Sequence, residues 1–370
     1  MIPVSRPSIG KEELAAVEKV FQSGWLGLGS VVFEFENKLK EYLPAKNVIA
    51  VNTGTTALHI ALDSLGIGQG DEVIVPSLTF AASIQAIIQT GAIPVFCEVR
   101  EEDLNIDVDD ARKRITSKTK AVMPVHYCGK SCNMDALLEI GKKNNIKVVE
   151  DAAHAFGSSY KGRKIGSFGD AACFSFDPIK NITCGEGGAV CVSDDEVAER
   201  IRRKRILGID KDTWHRYRNE RSWFYEVVEP GYRYHMSNIN AAIGLEQMKK
   251  LDGFIRRKRE ITWRYDEAFK GLKGIKILSN DYENTAQFCY IVRVMGRRDD
   301  LMEYLKSKGV GSGVHYIPNH LQPLFKKYSA KLPITEKLGE EILTLPLYYD
   351  MRDEEVELVI RSVREFANAA

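Results

Sequence analysis

The chain has 370 residues, 44% of them hydrophobic and 28% charged, enough for one large domain and a smaller one. Its 52 basic and 51 acidic residues leave a net charge of +1, a balance that gives no sign of a nucleic-acid or anionic-membrane surface. Seven scattered cysteines, odd in number and without zinc-ligand spacing, argue against a disulfide framework or a bound metal and for free thiols in a reducing compartment.

The first two thirds of the chain alternate short β-branched runs with helix-period segments. In chain order these are a run at Ile49–Val51, a helical pattern over Thr56–Leu65, a run at Glu72–Val75 and a helical pattern over Ala81–Gln89. Ile93–Phe96, Val108–Ile115, Ala121–Val125, Asp135–Asn144 and Lys147–Glu150 continue the alternation. Such a pattern predicts a doubly wound α/β domain. Around Ala171–Val192 it gives way to closely spaced short strands with a Gly-rich turn, which predicts an antiparallel or mixed part of the sheet. A long charged helix is expected over Ala241–Leu272, with Ile243, Leu245, Met248, Leu251 and Ile255 as its apolar stripe. Strands and helices resume beyond it. The expected organisation is therefore a large domain over residues 1–250 and a smaller α/β domain over 251–370. No apolar run reaches the roughly 18–20 residues that span a bilayer, and Met1–Pro7 has no basic flank followed by an apolar block, so a cytoplasmic location is expected.

Candidate chemistry centres on Lys180, at the end of an apolar run and followed by the Gly-rich turn Gly185-Glu186-Gly187-Gly188. A lysine amine forms a Schiff base with an aldehyde only when partly desolvated or placed beside another cation, and this setting supplies the first condition. Asp151 closes the run Val148-Val149-Glu150, at the strand end where doubly wound sheets bind ligands. Read alone, Asp151 also fits an N-cap for the Ala-Ala-His segment after it. His154 follows by about one helical turn. At Asn52-Thr53-Gly54-Thr55-Thr56 a glycine and hydroxyls stand between a strand and a helix, so the N–H groups of Thr55 and Thr56 are candidates for holding an anion; a plain capped helix start is the other reading. Ser175 could add a hydroxyl, and Phe80 could lay its ring on a flat ligand or simply pack in the core. An amine nucleophile, a carboxylate for a pyridine nitrogen and a phosphate cradle together describe a site for pyridoxal 5'-phosphate (PLP).

The strings NTGTTALHIAL, VPSLTFAAS, PVHYCGK, VVEDAAHAFGS, GSFGDAACFSFDPIKNITCGEGG, GYRYHMSNINAAIGLEQM and VHYIPNHLQPLF occur in the order expected of the DegT/DnrJ/StrS family of sugar-nucleotide aminotransferases, which the chain resembles from Pro3 to about Pro346. The resemblance implies an aspartate-aminotransferase-like α/β fold (PLP-dependent transferase fold type I), a homodimer with active sites at the subunit interface, and transfer of an amino group, usually from glutamate, to a nucleotide-linked keto sugar. Carried over by position, Lys180 resembles the Schiff-base lysine and Asp151 the pyridinium partner. His154 would face the cofactor's phenolate oxygen, Phe80 would stack on its ring, and Thr55, Thr56 and Ser175 would hold its phosphate. Relatives that have become dehydratases carry histidine where this chain has Lys180, so the resemblance favours transamination over a dehydratase or a non-catalytic regulatory protein.

Two positions depart from the family pattern. The motif Gly231-Tyr232-Arg233-Tyr234-His235 has arginine where many members have an asparagine donated to the neighbouring subunit, which makes Arg233 a candidate for the cofactor phosphate or for the substrate diphosphate. Asp177 stands where the family often has His or Tyr. The string Val314–His320, with His315, Tyr316 and His320, and the string Arg221–Glu226 are expected to line the sugar-nucleotide pocket, or else to pack between domains. The first is closer to enzymes that aminate C4 of a 4-keto-6-deoxy sugar than to those acting at C3 of a 3-keto sugar.

Overall fold

The computed structural model describes residues 1–210, 225–328 and 330–369. Seven strands form the main sheet: β1 Asn47–Val51, β2 Glu72–Pro76, β3 Ile93–Cys97, β4 Thr119–Val122, β5 Lys147–Asp151, β8 Ala171–Ser175 and β9 Gly188–Val192. A small hairpin, β6 Ser159–Tyr160 and β7 Arg163–Lys164, lies between β5 and β8 in the chain. The order across the sheet is β1-β9-β8-β5-β4-β2-β3, and β9 alone runs against its neighbours. β8 and β9 pair antiparallel across a Gly-rich connection that carries no crossover helix, which gives the mixed region expected around Ala171–Val192.

Alternation along the strands sends side chains to the two faces of the sheet, which together make the first core. On one face Ile49, Val51, Val73 and Val75 pack under helices α3 (Gly54–Ser64), α4 (Ala81–Gln89) and α7 (Asp195–Lys204). On the other face Val48, Ala50, Ala172 and Phe174 meet α2 (Ser30–Tyr42) and the long helix α8 (Asn238–Phe269). Farther along that face Ile74, Val122 and Val148 meet α5 (Val108–Lys113) and α6 (Met134–Asn144). Helices on both faces make near-continuous apolar strands the stable solution.

A second core surrounds an antiparallel sheet of β10 (Ile275–Ile277), β11 (Tyr290–Val294) and β12 (Ile342–Leu345), packed on α9 (Arg298–Ser307) and α11 (Asp353–Asn368). Helix α8 joins the two cores: Leu251 and Ile255 are buried in the first, while Ile261, Tyr265 and Phe269 are buried in the second. Residue 250 therefore falls within a continuous helix, and Ile2 pairs with Val310 and belongs to the second core. Ser237 caps α8 by accepting the Asn240 N–H, which starts the helix a few residues before the apolar stripe begins. Among the described residues no helix is long and apolar enough to cross a membrane, and no group of three or more His, Cys, Asp or Glu side chains could hold a metal ion.

The consequence for chemistry is positional. β1, β5 and β8 run in the same direction, so Val51, Asp151 and Ser175 end at one edge of the sheet, and the loop from β2 delivers Phe80 there. Carboxyl ends of parallel strands are where such sheets form ligand crevices.

Candidate active site

A cavity of about 300 Å³ opens at this edge, at the lower end of the range for small-ligand sites. Its wall includes Thr55, Phe80, Asp151, His154, Ser175, Asp177, Lys180, His315 and Tyr316. Asp151 is buried, and its carboxylate accepts from Ser83 Oγ at 2.6 Å and from the Ala153 N–H at 3.1 Å. Burial pushes the Asp151 carboxyl up from its ordinary range, opposed by those two hydrogen bonds and by the charge of Lys180. An ionised Asp151 thus lacks a full counter-charge, and a cation placed against it would supply one.

Lys180 sits at the end of a turn in which its own N–H donates to the Asp177 carbonyl at 3.0 Å, and Asp177 Oδ1 accepts from the Ile179 N–H at 3.1 Å. Asp177 thus organises the turn that presents the lysine. Burial pulls the Lys180 ammonium down, partly offset by the carboxylates of Asp177 and Asp151. Its Nζ lies 4.3 Å from the ring centroid of Phe288, and that ring stacks on His154 at 4.1 Å. His154 Nε2 is 3.1 Å from the Tyr316 hydroxyl, while its Nδ1 is buried without a partner among the described residues. Burial and the nearby Lys180 hold His154 well below the usual imidazole range, so it is neutral; burial holds the Tyr316 phenol well above its range, so it keeps its proton.

The anion cradle differs in detail from expectation. Thr53 is the N-cap of α3, and its Oγ1 accepts the Thr56 N–H at 3.1 Å, while Thr56 Oγ1 bonds Asn52 Oδ1 at 2.8 Å. The Thr56 N–H is therefore taken by the cap, and at the first helical turn the N–H groups of Gly54 and Thr55 have no acceptor among the described residues. Gly54 is required by packing: a Cβ there would stand 2.6 Å from Ser175 Cβ. Gly54→Ala is expected to lower stability by about 1–3 kcal/mol through overpacking, read as a drop in thermal midpoint.

Not every expected residue reaches the cavity. His320 is buried beside Ser77, whose Oγ is 2.7 Å from its Nδ1, and its Nε2 is 3.2 Å from Glu336. Both ring nitrogens are thus occupied in joining the loop after β2 to helix α10 (Pro333–Glu341), and His320 does not face the cavity as expected. Arg233 is exposed and lines a different depression, with Trp25–Leu28 and Ile206. Residues 221–224 of the Arg221–Glu226 string lie outside the described residues. Conversely, Ser83 and Phe288 contact the central groups without having been singled out. Ser83 lies one helical turn after Phe80, a spacing that could have flagged it; Phe288 comes from the loop before β11 and carries no local signal.

The donor set suits PLP. A buried carboxylate with unmet charge, an amine disposed to lose its proton, two orphan helix N–H groups over a glycine cradle and an unpartnered imidazole nitrogen line one cavity. Comparison with known proteins decides the family: the model of the DegT/DnrJ/EryC1/StrS aminotransferase family matches residues 7–364. The chain belongs to this family. Like other DegT/DnrJ/EryC1/StrS proteins it is a PLP-dependent sugar aminotransferase of α/β fold. It is 41% identical to the spore coat polysaccharide biosynthesis protein SpsC of Bacillus subtilis (strain 168), over 100% of this chain and 98% of that protein. The aminotransferase TlmJ from Streptoalloteichus hindustanus superposes with a TM-score of 0.93 at 36% identity, covering 100% of this chain and 99% of the other. The putative sugar aminotransferase Spr1654 from Streptococcus pneumoniae, in its PMP-form, gives 0.94 at 32% identity with 100% of both chains covered.

Behind the lysine, Asn181 Oδ1 accepts from Lys258 Nζ, and Asn181 Nδ2 donates to the carbonyls of Phe156 and Ala286 at 2.9 and 3.1 Å. Burial pulls Lys258 from its ordinary 10.5 down to about 7. Between those values the unfolded chain binds the extra proton, so this group's contribution to stability rises with pH across that window and the penalty is fully present below it. Lys258→Met is expected to flatten the slope of thermal midpoint against pH over that range relative to wild type.

Proposed function

We propose that the chain moves an amino group from L-glutamate to a nucleotide-linked keto sugar, at C4 of a 4-keto-6-deoxyhexose, in two half-reactions with ping-pong kinetics. The observation that carries the transamination is the convergence of Lys180, Asp151 and the Gly54–Thr55 helix start on one cavity, while the choice of C4 rests on the resemblance of the string Val314–His320. When bound, PLP supplies the electron sink that makes the α-proton of the amino donor acidic. In this reading Lys180 removes that proton and later delivers one to the sugar carbon, acting as base and then acid. Asp151 holds the pyridine nitrogen in its protonated form. His154 directs Nδ1 toward the phenolate oxygen, Phe80 covers the ring, and Gly54, Thr55 and Ser175 bind the phosphate. His315 and Tyr316, which line the same cavity beside His154 and Phe80, contact the sugar.

The chain is further read as a cytoplasmic homodimer, with Arg233 serving the second subunit's cofactor phosphate or substrate diphosphate. What supports the role of Arg233 is its exposure in a depression apart from its own subunit's cavity. The deciding experiment offers glutamate with a panel of nucleotide-linked 3-keto and 4-keto sugars. Formation of 2-oxoglutarate and a C4 amine by NMR is the expected result; amination at C3 alone, or no 2-oxoglutarate with any sugar, overturns it. Sedimentation at micromolar concentration tests the dimer, and a monomer with full activity contradicts it.

A further inference from the structure

Two of the seven cysteines are not isolated. Cys128, in the turn after β4, and Cys289, in the segment entering β11, bring their Sγ atoms to 2.8 Å across 161 positions of sequence. They are held at a fixed crossing, since the Phe288 N–H donates to the Cys128 carbonyl at 3.1 Å. Cys128 is buried and Cys289 is half-buried, so a small solute meets Cys289 first. The peptide between the contact and the active site is one residue long. Phe288, adjacent to Cys289, has its ring 4.3 Å from Lys180 Nζ and stacked on His154. Cys289 also packs in the cluster that contains Tyr316.

We propose that Cys128 and Cys289 form an oxidisable dithiol behind the active site, closed to a disulfide by hydrogen peroxide and reopened by a dithiol reductant, and that closure lowers turnover. Chemistry and access set the order of events. Cys289, as its thiolate, attacks a peroxide oxygen; an S–O bond forms, the O–O bond breaks, and the departing hydroxide takes up the proton the thiol gave to solvent and leaves as one water. Cys128 then attacks the Cys289 sulfur; the S–S bond forms, the S–O bond breaks, and hydroxide departs with the Cys128 proton as the second water. Two thiols give up two electrons and two protons, and peroxide takes them. Burial keeps Cys128 a protonated thiol until that step, which matches its role as the resolving partner. Transient disulfides of this kind are the form that redox control takes in reducing compartments.

Closure draws the two sulfurs to a bonding distance of about 2.0 Å, and the shift is passed through Cys289 to Phe288, whose ring packs against Lys180 and His154. Since sub-ångström to 1 Å misplacement of reacting groups costs up to about 100-fold in rate, a fall of roughly tenfold is expected. The test treats the PLP-loaded protein with equimolar hydrogen peroxide. The expected result is loss of two hydrogens in the intact mass, a Cys128–Cys289 cross-linked peptide after digestion, a roughly tenfold slower glutamate half-reaction, and recovery of all three with dithiothreitol. Cys289→Ser should keep the untreated rate and resist peroxide. The proposal is overturned if no cross-linked peptide forms, if the cross-link leaves the rate unchanged, or if Cys289→Ser loses activity to peroxide as wild type does. Should that variant fail to fold, Cys128→Ala and differential alkylation of the untreated wild type give the same decision. The mass readout is independent of which sugar is aminated, so it fails separately from the proposed substrate.

Discussion

Lys180→Ala is expected to lower turnover by at least about 10⁴-fold and to remove the near-visible absorbance of the loaded protein, because both the covalent attachment and the proton transfer are assigned to one amine. The fold should survive the change. Lys180 lies in a turn fixed by backbone and Asp177 contacts, and burial already disfavours its charge, so truncation removes a partly desolvated cation rather than a core contact. Lys180→Arg separates the two explanations for inactivity. Arginine keeps a cation over Phe288 and near Asp151 but is neither nucleophilic nor a proton carrier at neutral pH. If charge alone mattered, the arginine variant would retain much of the rate; the reading here expects it to be as inactive as alanine. Partial return of activity to Lys180→Ala with a small primary amine would localise the defect to the missing proton shuttle. Retention of wild-type turnover by either variant would remove Lys180 from the mechanism.

The parts of this site that were legible in the sequence share a physical origin. Lys180 and Asp151 stand at or just after the ends of apolar strands, and strand periodicity together with strand end is information carried within ten residues of each. The same holds for the Gly54 turn. What local pattern left out is set by atoms distant in the chain. Thr56 reads as a free donor until the Thr53 hydroxyl is seen to accept its N–H. His320 stands in a polar, loop-like string, yet its two nitrogens are satisfied by Ser77 and Glu336, which makes it a strut and not a ligand. Phe288 touches Lys180 and His154 only because the antiparallel sheet of the second core brings its loop against the first. Ser83 is intermediate: its place one turn beyond Phe80 is local, but the carboxylate that it serves arrives from β5. The doubly wound half of the chain was readable for the same reason as the lysine, since each strand is a short buried run and each helix carries its own periodic face.

Asp151→Asn is expected to lower turnover by roughly 10²- to 10³-fold while leaving the cofactor-free protein at least as stable, a pair of outcomes that a merely structural carboxylate would not give. Asparagine is nearly isosteric and can keep both contacts, with Oδ1 accepting from Ala153 and Nδ2 donating to Ser83 Oγ. What it loses is the charge. In the cofactor-free state that charge is a liability, because burial raises the Asp151 carboxyl above its ordinary 3.8. A raised carboxyl means that the folded chain binds more protons than the unfolded one just above that value. Stability therefore falls as pH rises through the window, and the penalty persists once the group is ionised. The substitution should remove this fall, which a comparison of thermal midpoint against pH for the two cofactor-free proteins would detect. In the proposed site a protonated pyridine nitrogen would be the cation the carboxylate lacks, so with PLP bound the sign is expected to reverse and the asparagine variant should gain less thermal stability from the cofactor than wild type. An Asp151→Asn protein with wild-type turnover and an unchanged gain on loading would show that the ring nitrogen is not held by this side chain.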